Sequence, residues 1–444
     1  MNHTLSRAGA PLGGVVVVPG DKSISHRAVL LALLANGPCR AEGWLDSADT
    51  QSSLAAARAL GCVARLTGDV LTIAPPPSRP DAPLTIDCGN SGTTARLLLG
   101  LLAGWLPVGG AAVTLTGDGS LRGRPMARVV DPLRRMGADL RWNDGEGRLP
   151  VTVRGAALRG VVHDLPVASA QVKSALLLAG LGAAGTTGVR GAAGSRDHTE
   201  VLLRGLGVAI DVSAAGPAVS GPCALPPFTL SVPGDPSSAA FFQVAAAIVP
   251  GSDVLIRGQS LNPTRLGALR VLARAGAQVV ESAAVGGPHG EPAGDVRIRS
   301  GALRAFAIEG PEVPTLVDEI PALAVLATQC RGRTVISGAA ELRVKESDRL
   351  ALLARNLRAL GADVEEQPDG LTIEGPCALR GGAQGQPLVL MTAGDHRLAM
   401  AMAVAALVAA GESALDDEAC VAVSFPGFFS AMQRLLDAGR EPRP

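Results

Sequence analysis

Val18-Pro19-Gly20-Asp21-Lys22-Ser23 and Val232-Pro233-Gly234-Asp235-Pro236-Ser237 are two versions of one passage, in which an apolar strand leaves through Val-Pro-Gly-Asp and enters a helix. Only the first copy carries Lys22, followed by Ser23-Ile24-Ser25-His26-Arg27. A scaffold duplicated about half the chain apart, with cations in one copy, predicts two similar halves around an anion site.

Outward from these copies a local unit recurs. An amphipathic helix ends in a small or apolar residue plus Gly at Leu60-Gly61, Met136-Gly137, Leu206-Gly207, Ala275-Gly276, Leu360-Gly361 and Ala438-Gly439. Glycine is the expected stop, because the residue past a helix end often needs positive φ. Alternating apolar strands usually follow, as in Ala362-Asp363-Val364-Glu365-Glu366, a Pro368-Asp369-Gly370 turn and Leu371-Thr372-Ile373. The unit reads strand, helix, strand, helix, hairpin, and six units give three per half. The sixth stops at Gly439 without its hairpin, so the strand Val15 to Val18 is expected to complete its sheet. The predicted class is α/β, with one domain over 21–233 and the other over 1–20 plus 234–444. Two chain crossings near Gly20 and Gly234 would then mark the cleft.

Composition narrows the function. The chain has 444 residues, zero formal net charge and 47% hydrophobic residues. No charge excess draws nucleic acid or an anionic membrane, so neither is an expected partner. Aromatics are 2% with no Tyr, which removes the base-stacking platforms of single-strand binders. The 55 glycines imply close backbone packing. Seven cysteines without a CxxC pair suggest free thiols in a reducing cytoplasm. No HExxH or repeated His spacing supports a metal. The uncharged stretch Leu97 to Gly117 contains Pro107 and Gly109-Gly110, so it reads as a core helix and a strand, not a membrane span.

A series of polar motifs stands at predicted helix openings. In Lys22-Ser23 with Arg27, Ser25 is a plausible N-cap, and helix-end N–H groups favour anions. A capped surface helix would look similar. Asp21 breaks the GK[ST] of a P-loop, so nucleotide binding lacks support. Asp87-Cys88-Gly89-Asn90-Ser91-Gly92-Thr93 makes a backbone-lined cup. Gly117-Asp118-Gly119-Ser120-Leu121-Arg122-Gly123-Arg124-Pro125 offers two arginines for carboxylate or phosphate. Ser169-Ala170-Gln171-Val172-Lys173 and Ser195-Arg196-Asp197-His198 open further helices. Asp318-Glu319 stand between apolar runs, where burial would suit a general base, although an N-cap would look the same. In Arg343-Val344-Lys345-Glu346-Ser347-Asp348-Arg349, Lys345 and Arg349 are expected on one helix face. Gly394-Asp395-His396-Arg397 is the last. Together they call for a ligand with several negative charges.

Pro19 to Arg27, the Gly89-Asn90-Ser91-Gly92-Thr93 loop, Gly123-Arg124-Pro125, Ser169-Ala170-Gln171, Arg343 to Arg349 and Asp395-His396-Arg397 together resemble the 3-phosphoshikimate 1-carboxyvinyltransferase (EPSP synthase) family. The match runs from about residue 11 to Ser424-Phe425-Pro426. The resemblance implies two domains of three βαβαββ repeats each, an inside-out α/β barrel. It implies transfer of the enolpyruvyl group of phosphoenolpyruvate to the 5-hydroxyl of shikimate 3-phosphate, a step of aromatic amino-acid biosynthesis. It implies no cofactor and no metal, small anionic substrates as partners, a monomer, a cytoplasmic location, and glyphosate as an inhibitor in the phosphoenolpyruvate place.

By matched position, Lys22, Ser23, Arg27, Ser169, Gln171, Ser195, Arg196, Asp318 and Lys345 would serve shikimate 3-phosphate. Lys22, Asn90, Gly92, Arg124, Gln171, Arg349 and Arg397 would serve phosphoenolpyruvate. Asp318 would be the general base, and Glu346 the proton donor to C3, with Lys22 as the competitor. Ala170, Glu341 and Val423 depart from the family's common form, and Lys173, Arg196 and Glu341 resemble a divergent subgroup. The cell-wall relative, UDP-N-acetylglucosamine 1-carboxyvinyltransferase, fits less well, since Gly119 stands at its catalytic Cys and Ser23 follows Lys22 where it has Asn. A non-catalytic anion-binding scaffold is the remaining alternative.

Overall fold

The computed structural model describes residues 4–440 except 214, 288 and 289. The ends 1–3 and 441–444 of the expected second domain lie outside the described residues. The chain divides into two compact units. The first holds residues 20–233 and 286–291; the second holds 1–19, 234–285 and 292–444. The return to the first unit at 286–291 has no counterpart in the sequence reading.

Among the described residues the strands form six sheets, three per unit. In each four-stranded example a parallel pair continues into an antiparallel hairpin. Leu84–Asp87 runs parallel to Val113–Thr116, which pairs antiparallel with Val151–Arg154 and then Asp139–Trp142. Ala307–Ile308, Gly332–Ile336, Gly370–Gly375 and Asp363–Gln367 repeat that order in the second unit.

The first strands of two sheets are exchanged along the chain. Gly13–Val17 precedes the helix Lys22–Ala32, yet it pairs with Asp253–Ser260 in the second unit. Thr229–Ser231 precedes the helix Pro236–Ile248, yet it pairs with Cys39–Glu42 in the first. Each strand therefore stays in the unit that the chain is about to leave. This corrects the expectation that Val15 to Val18 completes the sixth sheet. Leu5–Ser6 does so, antiparallel to Glu412–Leu415. Asp253 N bonds Leu12 O, and Leu12 N bonds Ser252 Oγ, fixing the longer strand elsewhere.

Each unit is built around three buried helices. Every residue of Pro236–Ile248, Ile320–Thr328 and His396–Ala406 is buried, as expected of helices apolar all round. In the first unit Gly92–Trp105 and Ala170–Gly180 pack through small residues. A methyl on Gly100 would collide with the Ala175 carbonyl, and one on Gly182 with that of Gly104. The outer helices, such as Ala48–Ala59 and Arg349–Ala359, bury one face and stop at Gly61 and Gly361, both at positive φ. Gly439 differs, with φ negative. Its requirement is space, because a Cβ there would meet the Pro11 carbonyl.

With few aromatics, the second unit concentrates them. Phe241, Phe242, Phe425 and Phe428 meet edge to face or tilted at centroid distances of 5.4–6.1 Å. Leu97 to Gly117 resolves into the helix ending at Trp105 and the strand Val113–Thr116. No helix of the described residues is long and apolar enough to cross a membrane.

Candidate active site

Within each unit most of the predicted site residues stand at or beside helix openings, but the openings are not bare amide cups. Asp21 caps Lys22–Ala32 by accepting from Ile24 N, so Ser25 is not the cap. Ser25 is buried one turn inside, where its Oγ accepts from Leu45 N. Asp118, Asp348 and Asp395 likewise cap helices starting at Gly119, Arg349 and His396. Carboxylates thus take amides that the sequence reading offered to a ligand, and the cationic side chains remain as the anion-seeking groups.

In the first unit, Lys22 Nζ lies 2.6 Å from Asp49 Oδ2, a partner the motif did not disclose. Arg27 is 3% exposed. It donates through Nε to Thr199 Oγ1, through NH1 to Ser23 O and through NH2 to Ser174 Oγ, at 2.7–2.8 Å. Burial pushes its guanidinium down to about 10, with Glu200, Asp21 and Glu291 opposing. Arg196 NH1 donates to Ser23 Oγ at 3.3 Å. Ser169 caps Ala170–Gly180, and Ser195 Oγ donates to Ala192 O. The helix after Ser195-Arg196 starts at His198, with no side-chain cap from Asp197.

A second group in this unit joins the Asn90 loop to Arg124. Arg124 NH2 donates to Asn90 Oδ1 at 2.6 Å, and Asn90 Nδ2 donates to Asp118 Oδ2 at 2.7 Å. Arg96 NH1 donates to Gln171 Oε1, whose Nε2 donates to Thr93 Oγ1. Gly92 opens its helix between them, where an added Cβ would lie 2.8 Å from Arg96 NH1 and 3.3 Å from Arg124 NH1. Arg122, by contrast, is exposed and pairs with Asp144 at 3.4 Å.

In the second unit Arg349 is the hub. It is 1% exposed and meets Asp395 at 2.7 Å, Glu346 at 2.6 Å and Asp318 at 3.4 Å. Burial alone would lower the pKa of its guanidinium, but Asp395, Glu346 and Asp318 outweigh it and hold it above the ordinary value. Asp395 is buried, which would raise its pKa, yet the Arg349 charge keeps it below the usual carboxylate range.

Asp318 is not an N-cap, since Glu319 occupies that place on Ile320–Thr328. Nor are its neighbours apolar. Its oxygens face Arg349 NH1 at 3.4 Å and Arg397 NH2 at 3.6 Å, and its carbonyl accepts from Arg397 NH1. Lys345 and Arg349 do not share a helix face. Lys345 follows a short 3₁₀ turn, Ala340–Val344, and the α-helix begins only at Arg349. Lys345 pairs with Glu341 at 3.6 Å. Arg343 serves structure, tied to Asp348, Glu366 and the carbonyls of Gln367 and Pro368.

Residues 6–432 match the model of the EPSP synthase (3-phosphoshikimate 1-carboxyvinyltransferase) family. The chain belongs to this family. It is 52% identical over 436 residues to the 3-phosphoshikimate 1-carboxyvinyltransferase of Anaeromyxobacter sp. (strain K), covering 98% of this chain and 95% of that one. The enzyme of that name from Gloeobacter violaceus is 49% identical over 428 residues, covering 96% of each. Among solved structures, EPSP synthase from Acinetobacter baumannii superposes with a TM-score of 0.84 at 36% identity, covering 97% of each chain. The enolpyruvyl transferase NikO from Streptomyces tendae shares the fold, with a TM-score of 0.78 at 21% identity over 98% of each chain.

Within this family member, several carboxylates escaped the sequence reading. Asp49 sits in the first turn of its helix, and Glu200 in the first turn of His198–Gly205. An acid there ordinarily signals a helix start, so it carries no separate mark of pairing with Lys22 or Lys173. Glu291 lies in the 286–291 return and reaches His198 Nδ1 at 2.8 Å, with both side chains fully buried. Among the described residues no cluster of His, Cys, Asp and Glu could hold a metal ion.

Proposed function

We propose that this chain transfers the enolpyruvyl group of phosphoenolpyruvate to the 5-hydroxyl of shikimate 3-phosphate, releasing phosphate. The observation that carries the catalytic assignment is Asp318. Its carboxylate caps no helix and faces two guanidinium groups, which supports a role in the chemistry.

Asp318 takes the proton of the 5-hydroxyl as its oxygen attacks C2 of phosphoenolpyruvate. C3 receives a proton from Glu346, or from Lys22, and becomes a methyl group. The tetrahedral adduct then loses a methyl proton and the phosphate leaves with the C2–O bond electrons, restoring the double bond. Ser23, Arg27, Ser169, Gln171, Ser195, Arg196 and Lys345 serve shikimate 3-phosphate. Asn90, Gly92, Arg124, Arg349 and Arg397, with Lys22 and Gln171, serve phosphoenolpyruvate. Preorganised cations stabilise charge as it develops, without reorganising at the moment of reaction.

The two units act as the halves of one monomeric enzyme in the cytoplasm. Mixing the purified protein with both substrates, with chelator present, should release phosphate only when both are there. Release only with UDP-N-acetylglucosamine in place of shikimate 3-phosphate would overturn the substrate assignment. No release with either would favour the binding scaffold.

A further inference from the structure

The segment Ser195-Arg196 is followed by a helix that lacks a side-chain cap, yet it is firmly held from beneath. Three consecutive residues of the helix opening each find a buried anchor. His198 meets Glu291, Thr199 meets Arg27 and Ser174, and Glu200 meets Lys173. The last contact has an additional feature. Lys173 Nζ lies 2.6 Å from Glu200 Oε1 and also donates to the carbonyl of Ser195 at 3.3 Å. Both side chains are nearly inaccessible, at 3% and 4%.

Lys173 belongs to the inner helix Ala170–Gly180, which also carries Gln171 and is capped by Ser169. One ammonium group therefore ties that rigid helix to the backbone of Ser195. A buried ion pair is a poor way to gain stability, because desolvation offsets the attraction, and an apolar pair of similar volume often does as well or better. Glu200 Oε2 has no hydrogen-bond partner, so the pair is not optimised as a packing unit either. What an apolar pair cannot supply is a donor to the Ser195 carbonyl.

We propose that Lys173 and Glu200 form a positioning pair that sets affinity for shikimate 3-phosphate by fixing Ser195 and Arg196. This rests on the function proposed above. Glu200 neutralises Lys173 and orients its ammonium group. Lys173 holds the Ser195 carbonyl, and Arg196 projects from that fixed backbone toward Ser23, to which it already donates.

The test is the double variant Lys173→Met/Glu200→Leu, which removes one charge of each sign and leaves the net charge near Arg27 unchanged. It should melt at or above the wild-type temperature. Its KM for shikimate 3-phosphate should rise about tenfold, the effect of losing one charge-assisted hydrogen bond. KM for phosphoenolpyruvate and kcat should stay within about threefold, since positioning acts on one substrate. Lys173→Arg, which keeps a donor and a charge, should recover most of the affinity. If the Met/Leu variant does not fold, Lys173→Met/Glu200→Gln gives the same reading. An unchanged KM for shikimate 3-phosphate in a folded double variant would overturn the positioning role, as would equal losses for both substrates. Wild-type phosphate release is measured alongside. Its absence would refute the proposed reaction, whereas normal wild-type rates with an unaffected variant would refute the positioning role alone.

Discussion

Replacing Asp318 with Asn separates chemistry from structure at the proposed general base. The amide keeps the size of the carboxylate and loses its charge. Asp318 contributes two long ion pairs, 3.4 Å to Arg349 and 3.6 Å to Arg397. Arg349 retains Asp395 and Glu346, at 2.7 and 2.6 Å, so of the two guanidinium groups only the buried Arg397 loses its carboxylate, and it keeps the Asp318 carbonyl. The amide oxygen can still accept from one guanidinium. The cost to folding should therefore lie between that of a neutral hydrogen bond and that of one to a charged group, about 1–2 kcal/mol. In a unit of this size that lowers the thermal midpoint by about 2–8 °C. Loss of a general base should slow turnover about 10²–10⁴-fold, roughly 3–5 kcal/mol in the barrier. The two magnitudes are distinguishable in one preparation. Phosphate release at saturating substrates reports turnover, circular dichroism reports melting, and calorimetry reports binding of shikimate 3-phosphate. Turnover within threefold of wild type would refute the base assignment.

Other expectations follow from the same geometry. Gly92→Ala places a methyl against the Arg96 and Arg124 guanidinium tips, which can yield, so the variant should fold normally with a raised KM for phosphoenolpyruvate and a larger rise in the glyphosate inhibition constant; equal inhibition constants would show that position 92 does not face the inhibitor. Arg349→Met leaves Asp395, Glu346 and Asp318 facing one another without their shared cation, and should cost about 3–5 kcal/mol of stability in denaturant titrations. A wild-type midpoint would contradict the hub. Burial holds His26 at about 3, against an ordinary 6.5, with Asp49 opposing the shift. The unfolded chain then takes up a proton that the folded chain refuses, so this contribution is whole above pH 6.5 and lost progressively as pH falls toward 3. Melting temperature should drop more steeply across that window in wild type than in His26→Gln, and parallel curves would refute it. Burial pushes the Cys62, Cys88, Cys330 and Cys420 thiols up to about 12. A native thiol titration should show only the partly exposed Cys223 and Cys377 reacting fast, and a rapid third thiol would show a looser core.

The repeat was readable because its punctuation is local. A glycine at positive φ after an outer helix, as at Gly61 and Gly361, is dictated within a few residues, and each hairpin follows closely behind it in the chain. The exchange of first strands was not readable. Parallel pairing leaves no mark on either strand to name its partner, and Leu5–Ser6 is too short for any periodicity. At the site the cations stood out at helix openings, while their counter-charges did not. Asp49 and Glu200 look like ordinary first-turn acids, and Glu291 arrives from a distant segment. Lys345 was misplaced because the run from Arg343 to Arg349 has helical spacing but contains a 3₁₀ turn and a fresh cap at Asp348. Asp318 was read from its apolar flanks, although its surroundings come from Arg349 and Arg397, far along the chain.

The exchanged strands give the two halves different timetables during synthesis. The first unit's borrowed strand, Thr229–Ser231, is the last it needs, so its sheets can close once that stretch has left the ribosome. The second unit's counterpart, Gly13–Val17, is made before the helices of the first unit, and its partner Asp253–Ser260 emerges only after the whole stretch between them. At about 5–20 residues per second that interval lasts from about ten seconds to nearly a minute. Throughout it, Val15 to Val18 is an unpaired apolar edge, the kind of segment that other chains can capture. Two halves of like design thus differ in exposure to error: one closes on its own last strand, and the other waits for its far end to meet its beginning.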